Sequence, residues 1–293
     1  MSDAVLVTGA TGDTGRYTVE RLLEKKIPVR ALVHREDDRS ARLLALGAEV
    51  VVGDLLDLDS VRKAVKGTRA AYFVYPILPG LIEATAFFAQ AAKEEGLRAI
   101  VNMSQLPARS DAKSHASRNH WIAERVFDWS GVPVTHLRPT FFAQWLLYPR
   151  YLAMIKNEGV VRVPFGEGRH APIAAEDQAR LIATILLNPE PHQGQIYKLH
   201  GPNEMSQREI AALVGGALGR EVKYEPITID VYRSRLEEAR FPSYLIQHLS
   251  EVALDYQNGI FSGEDQVIAR ITGEPPMTVS AFVSAHRAEY EAA

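Results

Sequence analysis

Thr8-Gly9-Ala10-Thr11-Gly12-Asp13-Thr14-Gly15 follows the apolar run Ala4 to Thr8 and leads into a segment where Val19, Leu22 and Leu23 fall at i, i+3 and i+4. Strand, glycine-rich turn and amphipathic helix, in that order, open a βαβ unit. Glycines spaced three apart permit a tight turn, close approach of the backbone to a ligand and close helix–sheet packing. The free N–H groups and the dipole of a helix N-terminus favour an anion at the same place. The turn therefore reads as a pyrophosphate site, with Gly9, Thr11, Gly12, Asp13, Thr14 and Gly15 as candidate contacts; the alternative is a purely structural turn. A carboxylate repels pyrophosphate, so the Asp13 side chain is expected to point away and cap the helix.

Outward from the turn, five more apolar runs alternate with helical-period segments: Val29 to Val33, Glu49 to Val52, Ala71 to Tyr75, Ala99 to Met103 and Val134 to Leu137. Such alternation gives parallel strands joined by helical crossovers, and near-continuous apolar runs are expected where both faces are covered. Gly47, Gly67, Gly96 and Gly131 stand where the intervening helices should stop. After Pro139 the rhythm changes to an aromatic segment, Phe141 to Ile155, and a Gly/Pro-rich stretch, Val160 to Pro172. A helix from about Ala175 to Leu187 then precedes a seventh strand, Ile196 to Leu199. Ser206 with Glu209 forms a capping box for a helix ending near Gly219. The remainder, Glu221 to Ala293, reads as a strand and several helices, including Val279 to Tyr290. The expected architecture is an α/β, Rossmann-type doubly wound parallel sheet of about seven strands with a small C-terminal α/β substrate cap. Residues 1–142 form the dinucleotide-binding domain, rejoined by a strand near 195–200, and residues 143–293 are mainly the cap.

Composition narrows the function classes. The 293 residues are 46% apolar and 24% charged, a balance that suits a compact fold and not disorder, collagen or a coiled coil. The net charge of −3 gives no overall field to attract nucleic acid or anionic lipid. With no cysteine, disulfides, thiolate metal sites and a cysteine nucleophile are excluded. Met1-Ser2-Asp3 carries no basic leader, and the apolar start reaches glycine by Gly9, so export is not expected. The windows Ala70 to Ile82 and Leu181 to Leu187 are short or broken by Pro76, Pro79 and Gly80, below the roughly 20 residues of a bilayer helix. A soluble, cytoplasmic protein with a small-molecule partner is expected, without nucleic acid or membrane.

Other candidate contacts lie at the carboxyl ends of strands, the edge where open α/β sheets bind ligands. About twenty residues past the glycines, where an acid would hold a ribose diol, stand His34 and Arg35. A guanidinium there pairs with a 2′-phosphate, favouring NADP(H) over NAD(H); the alternative is that Arg35 only solvates the strand end. Gly53, Asp54 and Leu55 could bracket the adenine, or Asp54 could cap the next segment. Val74, Tyr75 and Pro76 after the fourth strand, and Ser104 and Gln105 after the fifth, are lining candidates by position.

These residues resemble the atypical, NmrA-like branch of the short-chain dehydrogenase/reductase superfamily, end to end. The likeness is carried by the turn itself, by Ala31-Leu32-Val33-His34-Arg35, Gly53-Asp54-Leu55, Asn102-Met103-Ser104-Gln105, and Ser130-Gly131-Val132-Pro133 leading to Leu137-Arg138-Pro139. Ile173-Ala174-Ala175-Glu176-Asp177-Gln178-Ala179 and Tyr197-Lys198-Leu199-His200-Gly201-Pro202 are similar to the later segments. Catalytic members carry a Tyr-x-x-x-Lys helix with a Glu four residues on; here the segment is Ala116-Ser117-Arg118-Asn119-His120, followed by Glu124. The usual proton donor for an alkoxide is missing. The resemblance implies either reductases of quinones, azo dyes and triphenylmethane dyes, or nucleotide-binding regulators without turnover.

Hydride addition to an extended conjugated acceptor delocalises the developing charge, so a quinone-like or other conjugated small molecule fits this chain better than a simple ketone. His120 could bond the nicotinamide ribose or relay a proton as the catalytic candidate, or be a surface histidine paired with Glu124. Pro139 and Phe142 are further cofactor candidates. Phe141, Phe142 and Trp145, with Gln105, are candidate substrate-lining residues, and Tyr148 stands with them; the alternative is that the aromatics pack the cap. His115, His120 and Asp111 are irregularly spaced in a polar loop, Ala108 to Asn119, which reads as solvated and able to close over the cofactor; no metal is expected. No nucleophile elbow or P-loop is present. The expectation is an NADPH-dependent oxidoreductase. The alternative is a catalytically silent NADP(H)-binding redox sensor with a protein partner. A nucleotide-sugar epimerase or dehydratase is weakened by the missing Tyr and Lys.

Overall fold

The computed structural model describes residues 4–291, so Met1-Ser2-Asp3 lies outside the described residues. Strands β1 (Ala4–Val7), β2 (Val29–Val33), β3 (Glu49–Val52), β4 (Thr68–Phe73), β5 (Ala99–Met103), β6 (Val134–Pro139) and a seventh, Ile196–Leu199, form one sheet in the order β3-β2-β1-β4-β5-β6-seventh. The first six pair in parallel. His136 N donates to Gln195 O and Thr140 N to Leu199 O, both at 2.9 Å, so the seventh strand also runs parallel. Helices α1 (Asp13–Glu24), α2 (Asp38–Ala45), α3 (Leu58–Val65), α4 (Leu81–Glu95) and α5 (His115–Ser130) make the crossovers. Because β1 lies between β2 and β4, the strand order reverses there, and the connections leave the two strands in opposite directions. That reversal opens the crevice at the carboxyl ends where such sheets hold ligands.

The fold follows from the apolar pattern, with corrections at the margins. β4 begins at Thr68 and ends at Phe73, which leaves Val74-Tyr75-Pro76 in the loop beyond it. Strands covered on both faces hold only for the sheet centre. At the edges Val52 is 51% and Ile196 43% exposed, because each edge strand lacks one neighbour. Gly47, Gly67, Gly96 and Gly131 all have positive φ, the conformation that ends a helix at little steric cost to glycine. In the core, Phe73 packs against Phe88 and Phe127 at 4.8 and 5.2 Å between ring centroids.

Contacts divide the chain into two compact units. The first comprises the residues up to Ala112, Ala116–Arg138 and Gln178–Tyr197; the second comprises Lys113–His115, Pro139–Asp177 and the residues from Lys198 onward. The second therefore takes up the chain at Pro139, while most of the long helix after it returns to the first. Beyond β6 come a 3-10 turn, Ala143–Leu147, then α6 (Pro149–Glu158), α7 (Ala175–Leu187), α8 (Gln207–Leu218), α9 (Ile229–Glu238), α10 (Ser243–Gln257), α11 (Val267–Thr272), α12 (Val279–Ala285) and α13 (Arg287–Glu291). The Ser206–Glu209 capping box opens α8, and Gly219, at φ 71°, closes it. The expected helix Val279 to Tyr290 is instead two, with His286 between them.

The loop read as solvated over Ala108 to Asn119 is shorter and drier than that. Helix α5 starts at His115, and Ala108, Ala112 and Ser114 are buried. In the second unit α10 grips the short piece ahead of α5: Gln247 donates to Lys113 O at 2.9 Å and accepts from His115 N at 3.0 Å, while Ser114 Oγ lies 2.8 Å from His248 Nδ1.

Candidate active site

Each glycine of the turn occupies a place that a side chain would block. Gly9 has φ 54°, and a Cβ there would lie 2.6 Å from Val74 Cγ1. A Cβ at Gly15 would lie 2.1 Å from Gly9 O, and one at Gly12 3.2 Å from the same oxygen. Gly12 N closes the turn on Gly9 O at 2.9 Å. Thr8 fastens the turn to the neighbouring strand, its hydroxyl donating to Val74 O at 3.0 Å and accepting from Val74 N at 2.8 Å. The ends of β1 and β4 are thus held together at the strand-order reversal. The N-cap of α1 is Gly12 and no side chain caps it, so Asp13 is the first helical residue and not the cap. A helix start left uncapped behind a cradle that tolerates no Cβ suits a phosphate group. Thr11 is half-buried and Thr14 buried.

At the end of β2, His34 and Arg35 are exposed, and neither side chain has an ion pair among the described residues. The nearby carboxylate Asp37 is engaged elsewhere. It caps α2 by accepting from Arg39 N at 3.0 Å and Ser40 N at 3.1 Å, and it pairs with the Arg39 guanidinium at 2.6 Å. The Arg39 hydrogen bond and the backbone donors hold its carboxyl below the usual range. After β3, a Cβ at Gly53 would meet Ser60 Oγ at 2.5 Å, the atom that accepts from Asp54 N. Asp54 accepts from Leu56 N at 2.9 Å in a local turn; the cap of α3 is Asp57, so the capping alternative is corrected. Leu55 is half-buried. Tyr75 is buried, its hydroxyl donating to Pro79 O at 2.9 Å, with Val74 half-buried and Pro76 exposed on either side.

The end of β5 carries a network that the sequence reading missed. Ser104 Oγ donates to Glu124 Oε1 at 2.6 Å, and Arg138 grips the same carboxylate through Nε at 2.8 Å and Nη2 at 2.5 Å. Glu124 is fully buried. A buried carboxylate is tolerable only when paired and hydrogen-bonded, and here both conditions are met. Family motifs had placed Ser104, Glu124 and Arg138 near strand and helix ends; a bidentate pair between the last two was the legible clue. His120 is 4% exposed, so the surface alternative for it is corrected: with Ser117 and Glu124 it lies on the buried face of α5. Ala116, in the tyrosine position of catalytic relatives, is 2% exposed on the same helix. Ser117 Oγ donates to Gln105 Oε1 at 3.3 Å, and the buried Gln105 Nε2 has no partner among the described residues.

In the second unit, Phe141 sits in a nest of rings: Phe261 at 4.7 Å, Phe165 at 5.2 Å, Tyr256 at 5.5 Å and His170 at 5.6 Å. Phe142 bridges to Ile173, Pro139 is buried, Trp145 packs edge-on against Tyr151 at 4.9 Å, and Tyr148 is exposed. His170 joins Tyr256, a pairing no local pattern signals, and burial pushes its pKa down to about 3. Among the described residues no cluster of His, Asp and Glu suits a metal, and His115 instead faces Tyr244.

Comparison with known proteins agrees with this geometry. The model of the NmrA-like family matches residues 1–282. The chain is 31% identical over 291 residues to an NAD(P)H azoreductase of Xenophilus azovorans, covering 99% of this chain and 100% of that protein. It is 30% identical over 276 residues to a (4-alkanoyl-5-oxo-2,5-dihydrofuran-3-yl)methyl phosphate reductase of Streptomyces griseus, covering 92% and 93%. Its fold matches the crystal structure of an Escherichia coli NADPH-dependent quinone oxidoreductase complexed with NADPH at a TM-score of 0.85, with 23% identity over 97% of this chain and 99% of that one.

Proposed function

The chain belongs to the NmrA-like family, and from that premise we propose that it is an NADPH-dependent oxidoreductase passing hydride to a quinone-like or other conjugated small molecule. The cofactor half of the reading is supported by the glycine cradle, the uncapped start of α1 and the unpaired Arg35. Helix N–H groups take the pyrophosphate, and Arg35 takes the 2′-phosphate, with Asp37 already neutralised by Arg39. Ser104 gives its proton to Glu124, so its oxygen offers only an acceptor to whatever lies at the end of β5. Gln105 Nε2 offers a donor beside it. NADPH, when bound, supplies the hydride.

The observation that carries the acceptor class is the buried face of α5, where Ala116 and His120 stand in place of a phenol and an ammonium. An alkoxide leaving from a simple ketone has no phenol here to protonate it, whereas a quinone, azo group or enone spreads the negative charge over its own conjugation. The named activities of the azo and furanone-phosphate reductases, both acting on conjugated acceptors, support the same class. That same substitution favours one other reading, a protein that binds NADP(H) and reports its redox state to a protein partner. A panel of quinones, azo dyes and enones decides: oxidation of NADPH by at least one supports the reductase, and tight NADP⁺ binding with no oxidation by any supports the sensor. Among the described residues no helix is long and apolar enough to cross a membrane, in keeping with a small soluble acceptor.

A further inference from the structure

The nest around Phe141 contains more polar chemistry than packing requires. His170 ends the short strand Arg169–His170, Gln207 opens α8, and Tyr256 lies in the last turn of α10. Tyr256 Oη receives the Gln207 amide at 2.7 Å and lies 2.6 Å from His170 Nδ1. A phenol has one proton; accepting from Gln207, it directs that proton to His170 Nδ1. The neutral imidazole then carries its own proton on Nε2. That Nε2 and Gln207 Oε1 are buried and have no hydrogen-bond partner among the described residues.

His200 is fixed in the complementary sense. Asp265 Oδ2 lies 2.6 Å from His200 Nδ1 and accepts from His200 N at 3.0 Å. A carboxylate only accepts, so Nδ1 carries the proton and the neutral ring presents a lone pair at Nε2. This atom too is buried without a partner among the described residues. Gly201 N donates to Ala171 O at 2.8 Å, which sets the chain segments of the two histidines side by side. A Cβ at Gly263, where φ is 126°, would come within 3.5 Å of His200 Nε2, so glycine keeps the space before that nitrogen open. Phe141, Phe165 and Phe261 supply flat apolar surface around it. Buried polar atoms in folded proteins nearly all find partners, and three orphans in one aromatic nest call for a ligand. A metal does not suit them, since His170 offers a proton and not a lone pair.

We propose that His170 and His200 form a subsite for the oxygen-bearing ring of an aromatic carbonyl or phenol, the carbonyl accepting from His170 Nε2 and the hydroxyl donating to His200 Nε2. The ligand's role as hydride acceptor rests on the reductase reading; the site itself does not. Tyr256, Gln207 and Asp265 are positioning residues, because they set which nitrogen of each ring carries the proton.

The test uses the full chain with ¹⁵N-labelled histidine and 1-naphthol, which has the phenol but cannot take hydride. Titration should move the Nε2 resonances of His170 and His200. Tyr256→Phe, His200→Gln and Gly263→Ala should each weaken naphthol binding about tenfold, the worth of one good hydrogen bond. In the same variants the KM for 2-methyl-1,4-naphthoquinone should rise by a similar factor while NADPH binding stays unchanged. A packing role alone would lower the melting temperature and leave both untouched. Unmoved resonances with unchanged KM in Tyr256→Phe and His200→Gln overturn the subsite, leaving an ordered water as its occupant, while quinone reduction keeps the reductase reading. Naphthol binding at both histidines with no quinone reduced overturns the reductase reading and keeps the subsite.

Discussion

In the first unit, three glycines within seven residues work by lacking a side chain: a Cβ at Gly15 would overlap the carbonyl of Gly9. In the second, the nest around Phe141 works by side chains that converge from residues 141 to 265, on a short strand, two helices and two loops. The glycine turn is local, so backbone geometry alone defines it. The nest exists only once the unit has folded, and its proton placements depend on partners distant in sequence. Substitutions should therefore act differently in the two regions, on backbone clearance in one and on hydrogen-bond direction in the other.

The largest effect tests the support beneath the local region. Arg138→Met strands the buried Glu124 carboxylate and should cost about 3–5 kcal/mol in urea denaturation, the usual penalty for breaking a buried ion pair from one side. Gly15→Ala should cost about 3 kcal/mol and weaken NADPH binding roughly a hundredfold, since the clash is with backbone that cannot rotate away. Retention of tight NADPH binding in that variant would show that the cradle is only a turn. In the second unit the buried histidines add an acid sensitivity. Burial lowers His248 to about 4, so between that value and its unfolded value near 6.5 the unfolded chain binds the extra proton. Its contribution is present above pH 6.5 and is lost as pH falls toward 4, a loss of order 3 kcal/mol by thermal or urea unfolding, which His248→Gln should remove. Arg35→Ala should raise the Kd for NADPH about tenfold and leave NADH unaltered, read by nicotinamide fluorescence. The smallest effect is the contrast for Gly15: Gly216, inside α8, has nothing within 4 Å of its missing Cβ, and Gly216→Ala should stabilise by about 1 kcal/mol.

The same contrast explains what could be read from the sequence. Parallel strands and their helices were visible because covered strands are apolar almost throughout, and Glu49–Val52, Ala99–Met103 and Ile196–Leu199 fell where the runs did. The cofactor end was legible because its contacts cluster after successive strands. Element ends were less so: Asp13 looked like a cap, but the turn runs one residue shorter and Gly12 takes the place. His120 looked exposed because a lone histidine among Ser, Arg and Asn has no apolar signature, yet its spacing from Ser117 and Glu124 puts it on the inner face. Glu124 with Arg138 could have been suspected from a carboxylate and an arginine near the ends of adjoining elements. His170, His200, Tyr256 and Asp265 could not, since no periodicity links residues that meet only through tertiary packing.

The account turns on hydride leaving a nicotinamide held by the glycine cradle. The most direct measurement is the decay of reduced nicotinamide absorbance on mixing the protein with NADPH and 2-methyl-1,4-naphthoquinone or an azo dye, repeated with NADPH deuterated at the transferred position. The account predicts protein-dependent decay that slows severalfold with deuterium. Intact NADPH across the acceptor panel, with binding confirmed by titration, would contradict it.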